Sequence, residues 1–100
     1  MGKEIVWSTP ALLELEEIHT DIFEVSKSLK SADRVINEIM DSADVLSTQP
    51  EIYTLDENKT PNDGSYRSYE IRTYNVAYRV LDDTIRIIRV RYAGNEPRQY

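Results

Sequence analysis

YRSYEIRTYNVAYRVLDDTIRIIRVRY, residues 66–92, decides the fold. Its β-branched and aromatic residues come in short runs, which predicts three strands at roughly 66–72, 75–81 and 84–92. A turn is expected near Thr73-Tyr74, and a tight one at Asp82-Asp83 joins the last two strands into a hairpin. Strand alternation puts Val76, Tyr78 and Val80 on one face, and Ile88, Val90 and Tyr92 on one face of the next strand, as a floor for helices. Arg79, Arg89 and Arg91 then fall on the opposite face, beside Ala77, Leu81, Ile85 and Ile87.

Upstream, Glu4-Ile5-Val6-Trp7 reads as a strand, and Ser8-Thr9-Pro10 as a helix cap with proline in the first turn. Ala11, Leu15, Ile18, Ile22, Val25 and Leu29 recur at steps of three and four, with Glu14, Glu16, Glu17, Asp21 and Glu24 at other angles. That pattern predicts an amphipathic helix with a wet, acidic back. After a break at Ser28 to Ser31, Ala32, Val35, Ile36, Ile39, Met40, Ala43 and Leu46 predict a second helix ending before Gln49-Pro50. So short a link makes the pair an antiparallel hairpin. Residues 47–64, rich in proline, asparagine and acids, form a long loop that Ile52, Tyr53 and Leu55 help to pin. The resulting expectation is an α+β fold: an N-terminal strand and a helical hairpin packed on one face of a mostly antiparallel sheet, completed by three C-terminal strands.

The chain has 100 residues, which bounds it to one domain, 1–100. Charge is divided unevenly along it. Residues 1–64 hold five Lys+Arg against fourteen Asp+Glu, whereas residues 65–100 hold seven arginines, no lysine and four acids. An electropositive face for an anionic partner is therefore expected. Guanidinium suits that role because its planar fork grips carboxylate or phosphate and stacks on aromatic rings. The absence of cysteine removes disulfides and thiolate metal sites, and with no export signal or membrane-spanning run the expected location is the cytoplasm.

Catalytic motifs are sparse. His19, the single histidine, has no partner at metal-ligand spacing, so no metal site is expected. Three glycines leave no phosphate-cradling loop, which excludes nucleotide hydrolysis and implies no cofactor. Six of the seven tyrosines lie in the arginine-rich third; most suit packing, and the terminal Tyr100 stands apart.

IVWS at residues 5–8, the A.RVINEI run at 32–39, and the succession from Tyr74 through VRY and Glu96-Pro97 to Tyr100 together resemble the RelE/ParE toxins of bacterial type II toxin–antitoxin systems. The resemblance spans nearly the whole chain. It implies a cytoplasmic growth-inhibiting toxin of the plasmid-stabilisation type, neutralised by a cognate antitoxin, as a homodimer or a toxin–antitoxin hetero-oligomer. It also implies one of two targets, DNA gyrase or mRNA on the ribosome. In a nuclease of this kind Tyr100 would move a proton, and Arg67, Arg89 and Arg91 would hold the phosphate. The positions where relatives carry cations are Asn75, Asn95, Ser68 and Glu70 here, and the histidine seen in relatives near Tyr92 is absent. That departure favours a ParE-like, gyrase-directed toxin over a metal-independent, ribosome-dependent mRNA endoribonuclease, with a non-toxic antitoxin-binding relative as the further alternative. Arg79, Arg89, Arg91, Tyr92 and Arg98 are the residues expected to meet antitoxin or target.

Overall fold

The computed structural model describes residues 2–94. Strand β1 (Glu4–Trp7) leads into helices α1 (Thr9–Ser26) and α2 (Leu29–Ser42), then a 3-10 turn over Asp44–Ser47, then β2 (Tyr66–Ile71), β3 (Tyr74–Val80) and β4 (Thr84–Tyr92). The strands lie in the order β1-β4-β3-β2, β1 parallel to β4 and the other neighbours antiparallel. This is the α+β arrangement expected, with the helical hairpin on one sheet face. No helix among the described residues is long and apolar enough to cross a membrane.

Local chemistry sets the helix ends. Ser8 stays extended and accepts the Ala11 N–H at 3.2 Å, while its hydroxyl donates to the Ile88 carbonyl at 2.9 Å, so one side chain both caps α1 and ties it to β4. Lys27 ends α1 in the left-handed region (φ 58°), its N–H reaching the Phe23 carbonyl, and Ser28 at once caps α2 by accepting the Ser31 N–H at 3.1 Å. Ala11, Leu15 and Ile18 of α1 and Ile39 of α2 meet Tyr69, Val76, Tyr78, Ile85, Ile87 and Val90 of the sheet in one core. Val25 and Leu29, expected on that face, are 88% and 59% exposed. Val25 falls outside the core cluster that takes in Ile22, and Leu29 opens α2 instead of continuing the period of α1.

The face assignment in β4 needs correction. Ile85 and Ile87 are fully buried in the core, not beside the arginines, and Val90 joins them. Tyr78 pairs with Ile87 but Ala77 pairs with Arg89, so Ile88 is the extra residue of a β-bulge. A bulge resets the two-residue alternation, and both halves of β4 thereby present their apolar residues to the helices. The first turn also shifts by one residue: Ile71 pairs with Tyr74, leaving Arg72-Thr73 at the tip with Arg72 at φ 54°.

The long loop is pinned by Tyr53 and by the backbone of Leu55, as expected, whereas Ile52, expected to help, is 49% exposed. Leu55 bridges to Arg67 on the outer edge of β2, and Tyr53 stacks on Tyr69 with centroids 4.3 Å apart. Tyr69 meets Tyr78 edge-on, the Tyr78 hydroxyl donates to the Pro50 carbonyl at 2.8 Å, and Tyr69 shares a 2.8 Å hydrogen bond with Ser42. Burial pushes both phenols, Tyr69 and Tyr78, up to about 12. Below the ordinary phenol value of about 10 both are protonated whether folded or unfolded. As pH rises from there to about 12, the unfolded chain sheds these protons and the folded chain keeps them, so stability falls through that window. Each group contributes up to about 1.4 kcal/mol per pH unit. Urea melts repeated across the window should lose their midpoint in step with tyrosinate absorbance; a flat midpoint would refute the assignment.

Candidate functional site

The sheet face turned away from the helices is built from the alternate residues of each strand. Strand registers place Tyr66, Arg79, Arg86 and Val6 in one row across β2, β3, β4 and β1. The next rows are Ser68, Ala77 and Arg89, then Glu70, Asn75 and Arg91. Arg79, Arg89 and Arg91 thus share a face. Arg67 does not: it lies opposite Tyr78 on the other side of the sheet, donating to the Tyr53 carbonyl at 2.6 Å with its Nε buried and without a partner among the described residues. Tyr92 is also on the helix side, half exposed and edge-on to Tyr74. Arg98, Tyr100 and Asn95 lie outside the described residues.

The arginines are less available than their sequence suggests. β1 pairs with β4 only as far as Ile87, after which α1 runs alongside, and Glu14 takes over the strand edge. Its carboxylate accepts the Val90 N–H at 2.9 Å and is gripped by Arg89 through Nε at 3.1 Å and Nη2 at 3.0 Å. Arg91 Nε stands 3.9 Å from the same carboxylate. The Glu14 side chain is only 18% exposed, so this is a part-buried clamp and not a member of the wet helix back. Nothing in the helical periodicity signals it, because a carboxylate on a helix flank is ordinary until a strand edge ends beside it.

Arg79 is held more loosely. Its Nη2 is 3.6 Å from Asp63 with both side chains well exposed, its Nε donates to Ser65, and its guanidinium lies 4.8 Å from the Tyr66 ring centroid. The Lys59 ammonium stands 4.6 Å from the same ring, so two cations engage one aromatic. Asp63 is held below the usual carboxylate range, first by the Ser65 hydroxyl and amide and then by Arg79. Arg86, which the sequence reading passed over, is exposed and has no carboxylate partner among the described residues.

Among the described residues, the titratable groups suited to proton transfer do not gather on the arginine-bearing face. His19 is between the helices, 2.7 Å from Asp33. Asn75 and Glu70 face each other where the nuclease reading calls for cations. Among the described residues no cluster could hold a metal ion.

A helical hairpin on a four-stranded sheet whose far face carries guanidinium and aromatic groups defines a small α+β scaffold of the ParE/RelE toxin type. The chain belongs to the family of ParE toxins of type II toxin–antitoxin systems (parDE), whose family model matches residues 5–97. In fold it is similar to a chain of the chromosomal ParDE system from P. aeruginosa, with a TM-score of 0.74 and 18% identity over 92% of this chain and 97% of that one. It is likewise similar to a chain of the RelBE2 toxin–antitoxin complex from Mycobacterium tuberculosis, with a TM-score of 0.65 and 18% identity over 92% and 99%. No curated protein matches the sequence.

Proposed function

We propose that this chain is the toxin of a two-component module, kept inactive by a protein antitoxin that lies against its arginine-bearing face, and that once released it acts on DNA gyrase and not on ribosome-bound mRNA. Membership of the ParE family and the likeness to structures of toxin–antitoxin systems support the antitoxin partner. The observation that carries the choice of target is the row Glu70, Asn75 and Arg91. In-line phosphoryl chemistry without a metal needs cations gathered where negative charge develops. This row offers one guanidinium, already beside Glu14, together with a carboxylate and a neutral amide. The phenols of Tyr69 and Tyr78, near 12 and committed to packing, are poor proton donors or acceptors at neutral pH.

Induced expression should arrest growth, and co-expression with the product of the adjacent short reading frame should restore it. Purified protein should inhibit gyrase supercoiling and leave mRNA intact in a reconstituted translation mix. Cleaved mRNA with normal supercoiling would reverse the choice of target, and unimpaired growth with antitoxin binding retained would make the chain a non-toxic relative.

A further inference from the structure

Among the described residues the open face carries four arginines, Arg79, Arg86, Arg89 and Arg91, and two of them are withdrawn by the Glu14 clamp. The remaining two, Arg79 and Arg86, sit directly opposite each other on adjacent strands. Like charges so placed repel, so the arrangement is unfavourable until an anion lies between them. Their row is closed at one end by Tyr66 and at the other by Val6, which is 39% exposed. It reads aromatic, cation, cation, aliphatic, and is about 15 Å across at the usual strand spacing. Asp63, on the long loop, already rests on Arg79 at 3.6 Å from an exposed position, as a carboxylate that an incoming one would replace.

We propose that the Tyr66–Arg79–Arg86–Val6 row is a docking site for an acidic protein segment, whose carboxylates take Arg79 and Arg86 in place of Asp63 while apolar neighbours cover Tyr66 and Val6. The proposal rests on the reading of the chain as an antitoxin-bound toxin and names the contact within it. A polypeptide fits better than a nucleic acid strand. Arg79 and Arg86 are flanked by Val6 and Glu4 on one side and by Tyr66, with the Lys59 ammonium over its ring, on the other; Glu70 stands two rows further along β2, and the chain as a whole carries a net charge of −6. A phosphate backbone, with a charge at every residue, would run into those acids on leaving the row, whereas a segment with two acids would not.

The test is calorimetric titration of the full chain with the protein encoded by the adjacent reading frame, with variants checked by thermal melting. Arg79→Ala and Arg86→Ala should each weaken binding by on the order of tenfold to a hundredfold and flatten its salt dependence, because each removes one charge contact at the interface. Asp63→Asn should tighten binding severalfold by removing the competitor. Arg72→Ala should leave it unchanged, since Arg72 is at the far turn and pairs with Glu38. Wild-type protein that does not bind at all overturns the antitoxin reading and this site with it. Tight binding indifferent to Arg79 and Arg86 overturns the site alone. A single-stranded oligonucleotide that binds with the same arginine dependence, while the antitoxin does not, would hand the row to nucleic acid.

Discussion

Glu14→Ala is expected to destabilise the protein by about 2–3 kcal/mol and to lower its melting temperature by roughly 10–20 °C. The loss has two parts. The Val90 N–H, on the stretch of β4 that β1 does not cover, forfeits its acceptor, and Arg89, only 33% exposed at its side chain, forfeits its bidentate carboxylate. Stranding a part-buried charge costs more than the pair itself contributes. Glu14→Gln should cost about half as much, because the amide oxygen can still accept from Val90 while the ion pair is gone. A cycle with Arg89→Ala separates the parts: the double variant should be less destabilised than the sum of the single ones by about 1 kcal/mol. Strict additivity in thermal melts would show that Glu14 and Arg89 do not act as a unit.

Tyr78→Ala should have a still larger effect, about 3–5 kcal/mol, the usual cost of removing a buried aromatic ring. Tyr78 is fully buried, packs edge-on to Tyr69, and hands its hydroxyl hydrogen to Pro50, so it supports the sheet core and the long loop together. Domain stabilities run to about 5–15 kcal/mol in total, so this single change should consume a third or more of a typical value. Tyr78→Phe keeps the ring and loses only the Pro50 bond, which costs about 1 kcal/mol. Urea denaturation orders the two. Hydrogen exchange locates the effect: the amides of Asp56 and Ser68, which bond across the junction of loop and β2 at 2.9 and 3.2 Å, should lose protection first. Equal destabilisation by alanine and phenylalanine would show that the hydroxyl, and not the ring, secures the loop.

Much of this architecture was legible in residue order. The three C-terminal strands fall within a residue of where their periodicity puts them, because each must bury one side and the required spacing is local; the helices differ more, since α1 ends at Ser26, Leu29 opens α2 instead of closing α1, and α2 stops at Ser42 with the apolar run to Leu46 continuing as a 3-10 turn. The β4 bulge was legible in principle: Ile85 and Ile87 keep one phase of alternation, Val90 and Tyr92 the other, and the adjacent pair Ile87-Ile88 marks the change. Val25 misled because periodicity reports the face of a helix and not how far the core extends along it. Arg67 misled because a strand residue's charge does not reveal that a loop will fold over it.

The site divides differently. Arginine abundance in the last third, the amide and carboxylate at Asn75 and Glu70, and family membership are properties of residue identity and order, so the chain alone determined them. Which guanidiniums remain exposed to a partner was decided only by tertiary structure. β1 stops at Trp7, α1 swings alongside β4, and Glu14, seventy-five residues from Arg89 in sequence, arrives to neutralise it, while Arg86, paired with Val6 of β1, receives no such neighbour among the described residues. Charge is carried by residues, but its availability depends on which opposite charges the fold brings within a few ångströms, a distance that linear spacing does not encode.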